Sequence, residues 1–256
     1  MNGIVNTNRN LIVAKYGSET VADEINGIFH NKLDQYALGL SELDSGLIVV
    51  TSGAVMAGKA DAPHITDDQA LAGIGSSTIV EAWKRAFRRF GITVSQVLAT
   101  DYEISDVYEG GNLRKGLLKD VSLGIVPVFN TNDKLNTEEV KKRLWKGDND
   151  GPASHIAVFM GASALCLMTK KNGLFDDDGE TINIIPYDPT AHESVNKMIE
   201  SRGSSVQGIA AKIKAAINAA HYGVEAYIAG ADENIQEVLA GQTGTHIVAN
   251  PTYNVE

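Results

Sequence analysis

The densest group of polar side chains in the sequence is Gly147-Asp148-Asn149-Asp150-Gly151, directly ahead of an apolar helical pattern at 156–160. Asp and Asn in this setting serve either as a solvated helix cap or as ligands to a small polar molecule. Four further stretches put polar or glycine residues straight after apolar runs: Lys15-Tyr16-Gly17-Ser18, Thr51-Ser52-Gly53-Ala54, Asn130-Thr131-Asn132-Asp133 and Thr169-Lys170. Glycine in such a loop lets backbone N–H groups approach an anion, and a helix starting just afterwards adds its positive end, which together cradle phosphates. Loops of this kind at Gly17 and Gly53 suggest a phosphoryl group held between them. Each alone fits a tight strand–helix turn equally well.

Other patterns point away from chemistry. Gly53-Ala54-Val55-Met56-Ala57-Gly58-Lys59-Ala60 copies the G-x-x-x-x-G-K phosphate loop. Ala60, however, stands where a hydroxyl would ligate magnesium, and Val55-Met56-Ala57 reads as a helix face, so this reading is disfavoured. Neither acidic cluster, at 147–151 or at Asp176–Glu180, has the register of a calcium loop. His30, His64, His155, His192, His221 and His246 show no metal-ligand spacing, and no protein metal site is expected. Lys212 lies beside an apolar helical stripe and, on pattern alone, reads as a surface charge. Arg85, Arg88 and Arg89 read as a solvated face.

The elements that must position these residues follow from six short, mostly continuous apolar runs: 11–15, 46–51, 94–100, 124–129, 164–169 and 224–229. Continuous apolarity over this length suits strands covered on both faces, as in a parallel sheet between helical layers. Between them, 69–90 carries Val80, Trp83, Phe87 and Phe90 at helical spacing, and 208–222 carries Ile209, Ile213, Ala216, Ile217 and Ala220. A turn between strands is expected at Asp178-Gly179. The alternation predicts an α/β fold, a three-layer α/β/α sandwich with a mainly parallel central sheet, whose ligands sit at the carboxyl ends of the strands.

With 256 residues, 43% of them hydrophobic, the chain can bury a full core. One domain over 1–256 is expected, with lobes at 1–167 and 168–256. Acidic residues outnumber basic ones by 32 to 22, which argues against nucleic acid as a partner. The single cysteine, Cys166, excludes an internal disulfide and lies in an apolar run that suits a buried thiol. No long apolar stretch opens the chain or reaches membrane-spanning length, so a cytoplasmic protein without a membrane partner is expected.

Together these loops resemble the amino acid kinase family, over most of the chain. Lys15-Tyr16-Gly17-Ser18 is similar to its K-x-G-[ST] loop, and Thr51-Ser52-Gly53-Ala54-Val55-Met56-Ala57-Gly58 to the [ST]-S-G-A-[IV]-x-A-G loop of its glutamate-phosphorylating branch. Pro127-Val128-Phe129-Asn130-Thr131-Asn132-Asp133 resembles P-[IV]-[IV]-N-E-N-D, Gly147-Asp148-Asn149-Asp150 matches G-D-N-D, and Gly208-Ile209-Ala210-Ala211-Lys212 stands where the family has G-M-x-T-K. The sequence departs at Lys170, where the family has an acid, at Thr131, at Gly151-Pro152-Ala153-Ser154 and at Ser205-Val206-Gln207. The resemblance implies transfer of the γ-phosphoryl group of ATP, with Mg2+, to the side-chain carboxylate of glutamate, a first step towards proline, in a homo-oligomer. It implies Lys15, Lys212 and Asp150 as catalytic residues. Ser52, Gly53, Ala54, Asn130, Asp133, Asp148 and Asn149 would bind the acceptor, and Lys15, Gly17, Ser18, Thr169, Lys170, Phe175, Gly208 and Lys212 the nucleotide. The competing readings are a different small carboxylate or phosphate acceptor, motivated by the altered 151–154 stretch, and a ligand-binding relative without turnover, motivated by Lys170.

Overall fold

Alternation along the first strand, β1 (Leu11–Tyr16), decides which face of the sheet each functional residue serves. All six of its residues are buried, and successive side chains of a strand point to opposite faces. Ile12, Ala14 and Tyr16 join one apolar core, Leu11 and Val13 the other. Lys15 falls in step with Leu11 and Val13, so a charged side chain is directed into the second core, near the carboxyl end of the strand. The computed structural model describes residues 10–132, 149–176, 178–190 and 207–253.

β1 is central in an eight-stranded sheet. The other strands are β4 (Gly46–Thr51), β5 (Thr93–Ala99), β6 (Ile125–Thr131), β7 (Ala164–Thr169), β8 (Ile184–Ile185), β9 (Glu225–Gly230) and β10 (Thr245–Ile247), in the order β5-β6-β4-β1-β7-β9-β10-β8. The six strands from β5 to β9 in that order are mutually parallel, and β10 runs antiparallel to β9. The six apolar runs are these six strands, with ends shifted by one or two residues. β10, only three residues long, carries too few positions to register as a periodic run. A small antiparallel pair, β2 (Ala22–Asp23) and β3 (Gly27–Ile28), lies outside the sheet. The Asp178-Gly179 turn is present, closed by a bridge from Phe175 to Thr181.

Helices cover both faces. Against the first core lie α2 (His30–Ser41), α3 (Ala54–Asp61), α4 (Asp68–Arg88) and α9 (Ile235–Leu239). Against the second lie α5 (Asp101–Ser105), α6 (Val107–Ser122), α7 (Asp150–Met160) and α8 (Gln207–His221). The short α1 (Ser18–Val21) follows β1. α4 is capped by Asp67, whose carboxylate accepts from Ala70 N at 2.7 Å, and it buries Trp83 and Phe87 completely. Phe90 is a correction: the helix ends at Arg88, and the side chain is 37% exposed. Arg85 and Arg89 reach Asp34 on α2 at 3.2 and 2.5 Å. Cys166 is fully buried in β7, and burial pushes its thiol up to about 12.

α3 and α4 cross at two glycines. A Cβ on Gly58 would lie 2.0 Å from Leu71 O, and one on Gly75 would lie 1.9 Å from Ala54 O. No side chain fits at either point, so the two backbones are pressed together and the start of α3 is held rigidly beside the ends of β1 and β4.

Candidate active site

Lys15, Asp150 and Lys212 come from three distant parts of the chain and meet because their elements share one face of the sheet. Asp150 is the first residue of α7, where the partial positive charge of the helix end favours a carboxylate. α7 and α8 pack on the second core through Ala153, Ile156, Ile213 and Ala216, and Asn218 donates to Ser154 between them at 3.0 Å. The Lys15 ammonium lies 2.5 Å from Asp150 Oδ1, and the Lys212 ammonium 2.8 Å from Oδ2. Lys15 and Asp150 are 1% and 0% exposed and Lys212 13%, so the group is almost entirely removed from water. Two ammoniums share this carboxylate, so two cationic side chains converge on one point. Desolvating such ions costs several kcal/mol each. Two buried cationic side chains converging at the strand ends are suited to contacting an anionic ligand.

Beside it, Asn149 ties the ends of β4 and β6 together. Its amide nitrogen donates to Thr51 O at 2.7 Å and Asn130 Oδ1 at 3.1 Å, and its carbonyl oxygen accepts from Thr131 Oγ1 at 2.8 Å. It makes no side-chain cap bond to α7, and Asp150 is buried, so reading the 147–151 cluster as a solvated cap is overturned for these two members. Asp133 and Asp148 lie outside the described residues. The structure also gives Thr131 a contact that its sequence position did not reveal. Ser52 and Asn130 are buried, yet among the described residues Ser52 Oγ and Asn130 Nδ2 have no hydrogen-bond partner. Unmade bonds on buried polar atoms cost about 1–3 kcal/mol each, which is expected where a ligand supplies the partner.

The two glycine loops prove to be physically different. Gly53 has φ +99°, a conformation that favours glycine, so backbone geometry alone accounts for it. Gly17 has φ −70°, which any residue adopts. A Cβ at Gly17 would instead sit 3.8 Å from the Lys15 ammonium, so what glycine provides there is access to that charge. Ser18 opens α1 just behind it, and Ala54 opens α3, buried under the crossing with α4. The phosphate-loop resemblance of 53–60 is removed: Gly58 serves the helix crossing, and Lys59 donates to Ile65 O at 2.7 Å.

On the other side of β1, Thr169 ends β7, and the exposed Lys170 lies 3.3 Å from Glu19 on α1. Phe175 is 41% exposed, and Gly208 is in the first turn of α8. Asn172, which the sequence did not single out, joins the ends of β7 and β9: it accepts from Gly230 N at 3.1 Å and donates to Thr243 Oγ1 at 2.7 Å.

A parallel sheet between helical layers, with paired lysines at its strand ends, defines a class of fold that comparison with known proteins identifies. The model of the amino acid kinase family matches residues 10–230, and the chain belongs to that family. Among curated proteins it is similar to a glutamate 5-kinase of Geobacillus kaustophilus, 32% identical over 256 residues, covering 93% of this chain and 67% of that one. A glutamate 5-kinase of Nocardia farcinica is also 32% identical, over 253 residues, with 94% and 68% covered. Among solved structures, a carbamate kinase from Giardia lamblia bound to AMP-PNP shares the fold at TM-score 0.66 and 12% identity, covering 94% and 99% of the two chains. An isopentenyl phosphate kinase does so at 0.60 and 17%, covering 93% and 100%. The family and these relatives support a kinase, and family membership implies use of ATP and a small-molecule substrate. Among the described residues no helix is long and apolar enough to cross a membrane.

Proposed function

We propose that the protein transfers the γ-phosphoryl group of ATP to the side-chain carboxylate of L-glutamate, forming an acyl phosphate and ADP. The observation that carries this reading is the Lys15–Asp150–Lys212 cluster, which brings two cationic side chains together at the carboxyl ends of the strands. A carboxylate oxygen attacks phosphorus, the bond from phosphorus to the ADP oxygen breaks, and the electron pair leaves with ADP. The attacking group is already ionised, so no general base is needed. What remains is to align two anions and neutralise the charge on the migrating group, a matter of position and electrostatics.

In this reading Lys15 and Lys212 contact the transferring phosphoryl from two directions while Asp150 holds both ammoniums in place. Gly17 keeps the approach to Lys15 clear. Ser52, Asn130 and Asn149, with Asp133 and Asp148, hold the acceptor on the side of residues 1–167, where Ser52 Oγ and Asn130 Nδ2 await partners. Thr169, Lys170, Phe175 and Gly208 face the nucleotide on the side of residues 168–256. Magnesium, when bound, would offset the charge of the nucleotide phosphates, carried by their own oxygens and water in keeping with its reluctance to shed hydration. Among the described residues no group of three or more acidic, histidine or cysteine side chains could hold a metal.

The test incubates the protein with ATP, magnesium and glutamate, follows ADP, and traps the acyl phosphate with hydroxylamine as a hydroxamate. Equimolar ADP and hydroxamate are expected, with turnover lowered about 10²–10³-fold in Lys15→Ala and Lys212→Ala, the loss that removing one transition-state contact produces. Near-normal turnover in either variant would overturn the assignment of that lysine. A stronger response to another carboxylate in a panel would replace glutamate as the acceptor.

A further inference from the structure

A cavity of about 230 Å3 opens between α4 and the carboxyl ends of β5 and β6, lined by Ala72, Ser76, Ser77, Gln96, Leu98 and Asn132 among others. It is smaller than the roughly 300–1,000 Å3 that drug-sized ligands occupy, and so is scaled to a small metabolite. Thr131 is also in its wall, and the Thr131 hydroxyl donates to Asn149, the neighbour of Asp150. A single side chain therefore separates the cavity from the residues that bracket the cation cluster.

Its polar groups are under-used. Among the described residues Ser76 Oγ, in the cavity wall, is buried without a hydrogen-bond partner, and so, outside that wall, are Ser52 Oγ and Asn130 Nδ2. The three belong to one neighbourhood. Val50 is paired with Phe129 in the sheet, which sets Ser52 level with 130–131. The backbone of Ala54, two residues on, abuts Gly75, the neighbour of Ser76. Of the three, Ser76 lines the cavity, and Ser52 and Asn130 lie at the neighbouring strand ends; an unmade bond in the wall of a hollow is best explained by an occupant that makes it, since buried polar atoms are almost always paired. A serine hydroxyl reaches such an occupant by rotation between staggered positions.

We propose that this cavity is the specificity pocket of the acceptor. It receives the hydrogen-bonding end of an amino-acid-sized carboxylate that lies away from the reacting oxygen, with Ser76 and Gln96 as specificity-determining residues. This rests on the phosphoryl-transfer reading above, and binding separates the two. Glutamate is titrated calorimetrically into the full chain without nucleotide, and AMP-PNP is titrated separately. Wild-type protein binds glutamate. Ser76→Leu, which fills the hollow, weakens it by roughly ten-fold or more, in line with the cost of a misfitting group in a shaped pocket. Gln96→Ala, at an exposed position that leaves folding intact, weakens it by roughly three- to ten-fold, the worth of one net hydrogen bond. AMP-PNP affinity stays at the wild-type value in both. No glutamate binding by wild type, or wild-type affinity in Gln96→Ala together with any folded Ser76→Leu protein, overturns the pocket. Glutamate binding that responds to both variants while no hydroxamate forms sinks the phosphoryl-transfer reading and leaves the pocket standing.

Discussion

Replacing Asp150 by Asn removes a negative charge that two buried ammoniums share while keeping its volume. Contacts of 2.5 Å to Lys15 and 2.8 Å to Lys212 are lost together. Lys15 and Lys212 are then left close together without that carboxylate and with little water around them. Unit charges about 4 Å apart interact by roughly 4 kcal/mol at an effective dielectric constant of 20, and breaking a buried ion pair from one side costs about 3–5 kcal/mol. For a domain of this size each kcal/mol lowers the melting temperature by about 2–4 °C, so Asp150→Asn should melt roughly 6–20 °C below wild type. Lys15→Met should lose less, because Asp150 keeps its pair with Lys212. Binding of a phosphate-bearing ligand supplies the missing negative charge, so AMP-PNP should raise the melting temperature of Asp150→Asn by more than it raises that of wild type. Differential scanning calorimetry of the three proteins with and without AMP-PNP measures all of this. An Asp150→Asn protein melting within about 2 °C of wild type, or above Lys15→Met, would refute the view that the carboxylate binds the two ammoniums together.

Two further outcomes follow from the glycines. Gly58→Ala and Gly75→Ala force a methyl group to about 2 Å from backbone carbonyl oxygens, so each should cost at least the ~1–3 kcal/mol of overpacking in chemical denaturation. Gly111→Ala on α6, where a Cβ meets nothing within 4 Å, should be neutral or stabilising by up to about 1 kcal/mol; equal losses at all three would contradict the crossing. Gly17→Ala, in a conformation open to any residue, should leave the melting temperature unchanged and lower turnover in the coupled ADP assay, whereas a fall in stability without a fall in turnover would return Gly17 to the role of a simple turn.

How much of this was legible in the sequence depended on whether the signal was local. The six buried strands could be read because a strand covered on both faces must be apolar at nearly every position, and that leaves a mark within six residues. Phe90 misled for the complementary reason: its spacing fits the stripe of α4, but the helix stops two residues short of it. Lys212 could not be raised above a surface lysine by helical pattern, since its partner is 62 residues away and the pairing exists only once α7 and α8 pack together. Family resemblance, not periodicity, pointed to it. Ser76, Gln96 and Asn132 carry no motif and are separated by tens of residues, so only the folded chain brings them around one hollow. Gly58 shows the reverse case: a nucleotide-like spacing, already disfavoured by Ala60 and the apolar 55–57 stretch, is the contact point of two helices.

The alternation along β1 has a consequence for how such a protein can change. Lys15, Asp150 and Lys212 hang from one face of the sheet, whereas α4, with Ala72 and Ser76, is layered on the other. In the pocket proposed above, substitutions in the α4 layer alter the cavity wall without touching the opposite layer, where the charges are anchored. The sheet works as a partition between the α4 layer and the layer that anchors Lys15, Asp150 and Lys212.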